Sequence, residues 1–350
     1  SPALQDTLAK AIRLIRSKRP DTPIVLVDHC GFPGSNVYQK PLDDQQHAFK
    51  ALEEVYNKLV ADGVKGLYRL TFDQIGMVVT EIDSDGFLHL TTVGGIDPRV
   101  LCGRHVLVGD RHKLHGVIAS KAIHLQTPEE RAKTTPVKNM YIDIGARDAE
   151  DAKKYVSVGD YATFDSDFVT FGKDNTRMKG KALDDRAGCA CLIQLLQQEA
   201  EYDFTACFTV CEECGKSGAD NAAFSVQPDI AIVVECTTAA DVHGVGELDQ
   251  VVNQGKGPAF VLMDTRCIYD RALFKKGMAI AKEHNVPCQV KRATSGATDA
   301  AVIQTMGAGV KVMGVSMPGR YIHSASSTLK LSDIDATTQL LGHLVNGLAD

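Results

Sequence analysis

The chain has 350 residues, 44% of them hydrophobic and 23% charged, so it can bury a substantial core and is long enough for two domains. Its 38 basic and 44 acidic residues leave a net charge of −6, and no Lys/Arg cluster is interleaved with aromatics, so nucleic acid is not an expected partner. No stretch approaches the roughly 20 apolar residues of a membrane span, the opening Ser1-Pro2-Ala3-Leu4-Gln5 has no signal pattern, and ten cysteines spread through apolar patterns read as reduced thiols; a cytoplasmic protein is expected.

In chain order, Leu4, Leu8, Ala11, Ile12 and Ile15 recur at helical spacing, and Phe49, Leu52, Tyr56, Leu59 and Val60 do so again behind Asp43. Between these helices Ile24-Val25-Leu26-Val27 reads as a buried strand, followed by a glycine-proline loop at His29 to Gly34. From Met77 the pattern changes. Met77 to Ile82, the turn Asp83-Ser84-Asp85-Gly86 and Phe87 to Val93 predict a hairpin, and short strands with glycine turns continue to about Phe171.

After Lys181 helix and strand alternate. A helix follows Asp184 and Asp185, strands are expected near Phe204 to Val210, Ile230 to Val234, Ala259 to Met263 and Val310 to Val315, and a last helix is opened by Ser332-x-x-Asp335. This alternation predicts an α/β fold with a sheet covered by helices on both faces. The expected organisation is an α/β domain made of residues 1–76 and 173–350, with a β-rich domain of residues 77–172 inserted into it.

Chemistry-bearing residues collect where the α/β strands end, the place at which ligands gather in such sheets. Lys181 to Gly188 puts Asp184 and Asp185 at a helix start, a pattern that simple capping also produces. Val210-Cys211-Glu212-Glu213-Cys214-Gly215 ends an apolar strand in adjacent glutamates, whose side chains in an extended segment point to opposite sides; one can bind a metal while the other handles a proton. Glu235 ends a buried strand, an expensive place for a charge without a partner, and His323 follows another. Taken together, these four clusters point to a hydrolytic metal site, because independent capping or burial does not explain why successive strands end in metal-capable side chains. Cys211 and Cys214 form a CxxC, but at a strand end its thiols should splay apart, and no second CxxC completes a zinc site. The basic run Arg104 to Lys113 reads as a solvated face.

The chain resembles the M42 metallo-aminopeptidases, the glutamyl and tetrahedral aminopeptidase group. The matching words are Asp73-Gln74-Ile75-Gly76, Val93-Gly94-Gly95-Ile96-Asp97-Pro98-Arg99-Val100, Thr127 to Arg131, Tyr141 to Ala146, Lys181 to Gly188, Glu212-Glu213 with Gly215, Thr298-Asp299-Ala300 and Arg320 to Ser324, in family order. The resemblance implies a two-metal, zinc-peptidase-like α/β domain with an inserted β-domain, hydrolysis of short peptides from the N-terminus, and assembly into a homo-oligomer, a dimer or a dodecamer. It also implies that Asp184 bridges the metals, Glu213 and His323 bind one of them, Glu235 binds the other and Glu212 is the general base. The cofactor is then a divalent metal, zinc or cobalt, with one or two ions per chain.

The sequence also departs from the family pattern. The family's first ligand is a histidine two residues before Asp73, the aspartate that would orient it, and Thr71 stands there instead. Gln74 replaces a glutamate, Glu235 replaces an aspartate, and residues 1–70 lack the usual opening motifs. One metal position is therefore expected to be altered, with His29, Cys30 or His243 as candidate substitutes. The competing expectation is a catalytically silent relative that keeps the fold for assembly or peptide binding.

Overall fold

The computed structural model describes residues 76–109, 113–198, 201–214 and 217–348, together with two strands before them, Ile24–Asp28 (β1) and Leu67–Thr71 (β2). These two pair in parallel, with Asp28 opposite Thr71. The helices expected on either side of β1, and Asp73, lie outside the described residues.

Six strands, Gly76–Ile82 (β3), Leu88–Val93 (β4), His105–Val108 (β5), Leu114–Ser120 (β6), Met140–Asp143 (β7) and Tyr161–Phe164 (β8), close into a barrel in the order β3-β4-β7-β6-β5-β8. Alternation explains its interior: Leu88 and Leu90 of β4, Ala162 and Phe164 of β8, and Met140 and Ile142 of β7 are buried, while the residues between them are more open. These side chains meet Met77, Val79 and Ile118 in one apolar cluster. The expected β3–β4 hairpin is present, its turn held by Asp83, whose Oδ1 accepts the backbone N–H groups of Asp85 and Phe87 at 3.0 and 2.9 Å. The basic run enters β5, where His105 is exposed and Val106 to Val108 are buried.

The chain then passes through Val169–Phe171 (β9) and Arg177–Gly180 (β10) into helices Leu183–Leu196 (α1) and Ser217–Val226 (α2). Strands Ile230–Thr238 (β11), Ala259–Val261 (β12), Gln289–Val290 (β13) and Lys311–Gly319 (β14) make a mixed sheet of order β11-β14-β12-β13, with helix Arg271–Glu283 (α3) between β12 and β13. Strand Ser327–Lys330 (β15) joins β10 and β9, and helix Leu331–Gly347 (α4) follows. Both faces of the mixed sheet are packed. Ile230, Ile232, Met313 and Val315 meet α3 and α4 on one side, whereas Ala231, Val233 and Val312 meet Tyr269 and the single turn Ala300–Ile303 on the other. No helix among the described residues is long and apolar enough to cross a membrane.

Two expectations need correction. The Ser332-x-x-Asp335 cap is not used: α4 starts at Leu331, and the buried Asp333 instead accepts the backbone N–H groups of Gly255 and Gly257 at 2.7 and 2.9 Å. The segment 204–210 runs beside the sheet but is not a strand of it. Among the described residues, the backbone groups of residues 204–209 enter no backbone ladder. A cavity of about 540 Å³ is lined by Phe204 and Phe208 of this segment and by Ile232 and Val234 of β11, with Leu344 among others.

Candidate active site

The site is built where β10 hands over to α1. Lys181, buried at 7% exposure, donates from Nζ to Thr163 Oγ1 (3.1 Å) and to the Phe164 carbonyl (2.9 Å), tying the approach to the site to barrel strand β8. Desolvation lowers this ammonium to about 7. Ala182 follows with φ +50°, and Asp184 and Asp185 leave helical geometry at the mouth of α1. Asp185 Oδ1 accepts the N–H of Gly188 at 3.1 Å, and a Cβ at Gly188 would collide with that carboxylate, which is why glycine stands there.

Asp184, Glu213 and His323 converge. His323 Nε2 lies 3.6 Å from Asp184 Oδ2 and 3.8 Å from Glu213 Oε1, and the three residues place one donor atom each within 4.8 Å of one another. The other ring nitrogen of His323, Nδ1, lies 2.8 Å from the carbonyl of Gly95, just beyond β4. Such a carbonyl accepts Nδ1–H, which leaves the Nε2 lone pair facing the two carboxylates. The hydrogen bond to Asp184 comes first among the causes that raise the His323 imidazolium to about 9, ahead of the opposing burial and the charge of Glu213. Two carboxylates and one imidazole form a donor set that suits a divalent metal ion.

Glu235 does not end its strand as expected: β11 runs on through the buried Cys236 and Thr237 to Thr238, and Glu235 is half-buried on the cavity wall. Burial, followed by the charge of Asp185, holds its carboxyl well above the usual range. Burial and the Asp184 charge do the same to Asp185. Glu212 lines the same cavity and contributes to both shifts, so these acidic groups share one electrostatic environment that a cation would relieve. A second group of donor atoms, from Asp184, Asp185 and the buried Cys236, also lies within 4.8 Å. His243 sits exposed in a turn, and Thr71 closes β2.

The structure brings Asp184, Glu213 and His323 into direct proximity, and it places Glu212 and Glu235 on the cavity that Asp184 and Glu213 also line. The sequence left three supporting groups unread: the Gly95 carbonyl, Cys236, and Asp241. Asp241 takes a bidentate pair from Arg320 (Nε–Oδ1 2.8 Å, Nη2–Oδ2 2.9 Å) and thereby anchors the end of β14 just before His323. A backbone carbonyl has no sequence signal, and an aspartate 79 residues from its arginine has none either. The Cys211 to Cys214 stretch also differs from expectation. It is a turn and not a strand end, with the Cys214 N–H donating to the Cys211 carbonyl at 3.3 Å.

The profile of the M42 glutamyl aminopeptidase family matches residues 71–340. A second profile, that of the GDSL-like lipase/acylhydrolase family, matches residues 1–96, mostly outside the described part of the chain. Lysyl aminopeptidase of Pyrococcus furiosus is 29% identical over 284 residues, 79% of this chain and 80% of that protein. The solved TET aminopeptidase of a marine sediment thaumarchaeote is 34% identical, covering 79% of each chain with a TM-score of 0.75. The TET1 peptidase of Pyrococcus horikoshii, which can assemble into a tetrahedron or a large octahedral shell, is 32% identical, covering 78% of this chain and 81% of that one with a TM-score of 0.69. By a profile match over most of its length and by these likenesses, the chain belongs to the M42 glutamyl aminopeptidase family.

Proposed function

We propose that this chain is a metal-dependent aminopeptidase that removes N-terminal residues from short peptides. The observation that carries the reading is the convergence of Asp184, Glu213 and His323 on one point, in a chain of this family. These three residues would hold one divalent ion, zinc or cobalt, and Asp184 with Glu235 would hold a second more weakly, giving one or two per chain. A bound ion supplies Lewis acidity, polarising a peptide carbonyl and acidifying water. Glu212 is not assigned as a ligand. Its carboxylate accepts the proton of the attacking water and delivers it to the amine that departs as the C–N bond breaks. The adjacent acidic side chains receive the substrate's free ammonium group. His323 is kept in the ligating tautomer by Gly95, and Asp73 is assigned a supporting role beside Thr71.

The closed barrel with its own apolar core supports reading residues 77–172 as a unit inserted into a zinc-peptidase-like domain of residues 1–76 and 173–350. The TET1 relative's stated shells support a homo-oligomer, either a dimer or a dodecamer. Retention of the donor set and of Glu212 favours catalysis over a silent assembly role.

Metal analysis of the purified protein, combined with turnover of a panel of aminoacyl-anilides with and without added Zn²⁺ or Co²⁺, tests the reading. The expected result is bound metal and metal-dependent release of the anilide. Glu212→Gln should lower turnover by about a hundredfold or more at unchanged metal content. Full activity in that variant, or loss of its metal, would overturn the role given to Glu212.

A further inference from the structure

Cys211 and Cys214 bracket the two glutamates of the site. In the fold the chain bends at Val210, Cys211 follows with φ +63°, and the Cys214 N–H returns to the Cys211 carbonyl at 3.3 Å. The loop is pinned at its base, where Val210 O accepts the Gly218 N–H at 3.1 Å, and a Cβ on Gly218 would strike the Val210 backbone. Residues one and four of such a turn have Cα atoms within about 7 Å. Disulfides span Cα separations of about 4.4–6.8 Å, so the turn already holds these two cysteines at bridging range. An extended strand would have kept them too far apart.

We infer that Cys211 and Cys214 form a dithiol site that exchanges with low-molecular-weight disulfides, and that closing their bridge competes with metal binding at Asp184, Glu213 and His323.

Access sets the order of events, because Cys214 is exposed while Cys211 is half-buried on the cavity wall. The Cys214 thiolate attacks a small disulfide RSSR, forming a mixed disulfide and expelling RS⁻. The Cys211 thiolate then attacks the Cys214 sulfur, forming the internal bridge and expelling the second RS⁻. The two cysteines are oxidised, the small disulfide is reduced to two thiols, and the two cysteine protons pass to the released thiolates. Burial raises the thiols of Cys189, Cys191, Cys207, Cys236, Cys267 and Cys288 and so disfavours their reactive form. Exposed Cys102 faces Ser120, its Sγ 3.5 Å from Oγ.

The competition with metal rests on the proposed metal site. Glu212 and Glu213 are the two residues inside the ring that the bridge closes, and Glu213 Oε1 is already 3.8 Å from His323 Nε2. Cα range is not the whole of disulfide geometry: the bridge also fixes the two Cβ atoms about 3.8 Å apart, and the small adjustment this asks of the turn moves the Glu213 carboxylate that lies between the cysteines. Linkage makes the effect reciprocal, and bound metal must then oppose oxidation.

The full-length protein, freed of metal, is equilibrated in buffers of graded oxidised and reduced glutathione and mapped by non-reducing peptide mass spectrometry, with and without zinc. The expected product lacks two hydrogens and links residue 211 to residue 214. Cys211→Ser should trap a glutathione adduct on Cys214, and Cys214→Ser should give no bridge. Zinc should shift the oxidation equilibrium by about tenfold or more toward the dithiol, equivalent to about 30 mV. A persistent glutathione adduct on Cys214 of the unmutated protein, or a bridge to another cysteine, overturns the site; an equilibrium unmoved by zinc that is shown to be bound overturns the competition. A reduced protein that binds no zinc contradicts the metal assignment instead, since the bridge itself is scored by mass.

Discussion

His323 Nδ1 lies 2.8 Å from the carbonyl oxygen of Gly95, so a loop of the barrel sets the orientation of a side chain carried by the end of the mixed sheet. The two are 228 residues apart, and the contact decides which nitrogen of His323 faces Asp184 and Glu213. The proposed metal site is thus assembled across the barrel and the sheet.

The first prediction follows from that imidazole. In the metal-free protein its value is raised from 6.5 to about 9, chiefly by the hydrogen bond to Asp184. A raised folded value means that His323 adds stability in full below about 6.5, and that this contribution is lost as pH climbs through about 9. Metal binding needs the neutral ring, so zinc affinity measured by competition with a chelator should rise with pH up to about 9 and then level off. His323→Gln should abolish that part of the dependence; an unchanged profile would remove His323 from the ligand set.

Lys181 has the opposite sign. Burial lowers it from 10.5 to about 7, so the unfolded chain binds a proton that the folded chain lacks between those values, and stability should rise with pH across that window. Below about 7 the cost of the buried charge is present in full. Lys181→Met removes this slope, and the difference between variant and parent in denaturant unfolding at pH 7 and pH 9 isolates it from the His323 contribution. At pH 7 the net change should be small, because the lost hydrogen bonds to Thr163 and Phe164, worth about 1–3 kcal/mol for the group left unsatisfied, are offset by relief of charge burial. Parallel pH profiles for the two proteins would refute it.

Gly188→Ala tests the support of Asp185. The added methyl group would overlap the Asp185 carboxylate, so overpacking should destabilise the protein by about 1–3 kcal/mol. Metal retention through dialysis should fall with it, because Asp184 and Asp185 share one backbone turn. A variant that is destabilised yet keeps its full metal content would uncouple Gly188 from the site.

Thr71→His would supply the histidine that the proposed second metal position lacks. Metal content after dialysis should move from about one toward about two ions per chain, and turnover should rise. Two tightly held ions in the unmutated protein would show instead that another residue already serves as that ligand.

Much of this protein is legible from local pattern. Period-two alternation marks the barrel strands from Met77 onward, and the apolar runs at Ile230 and Val310 mark two adjacent strands of the sheet, because burial of a strand face depends on neighbours two residues apart. The clustering of Asp184, Glu213, Glu235 and His323 behind apolar segments, and the threonine at position 71, are equally visible in one dimension. What tertiary structure alone decided is pairing. Phe204 to Val210 has the composition of a strand but lacks a ladder, since a ladder needs a second backbone at the right distance and register, which composition does not encode. The CxxC reads as a strand end yet closes a turn, because the Val210 to Gly218 contact brings the chain back on itself. Burial of Lys181 against barrel strand β8, the Arg320–Asp241 pair and the Gly95 hold on His323 join residues 17, 79 and 228 positions apart, distances over which no periodicity carries information.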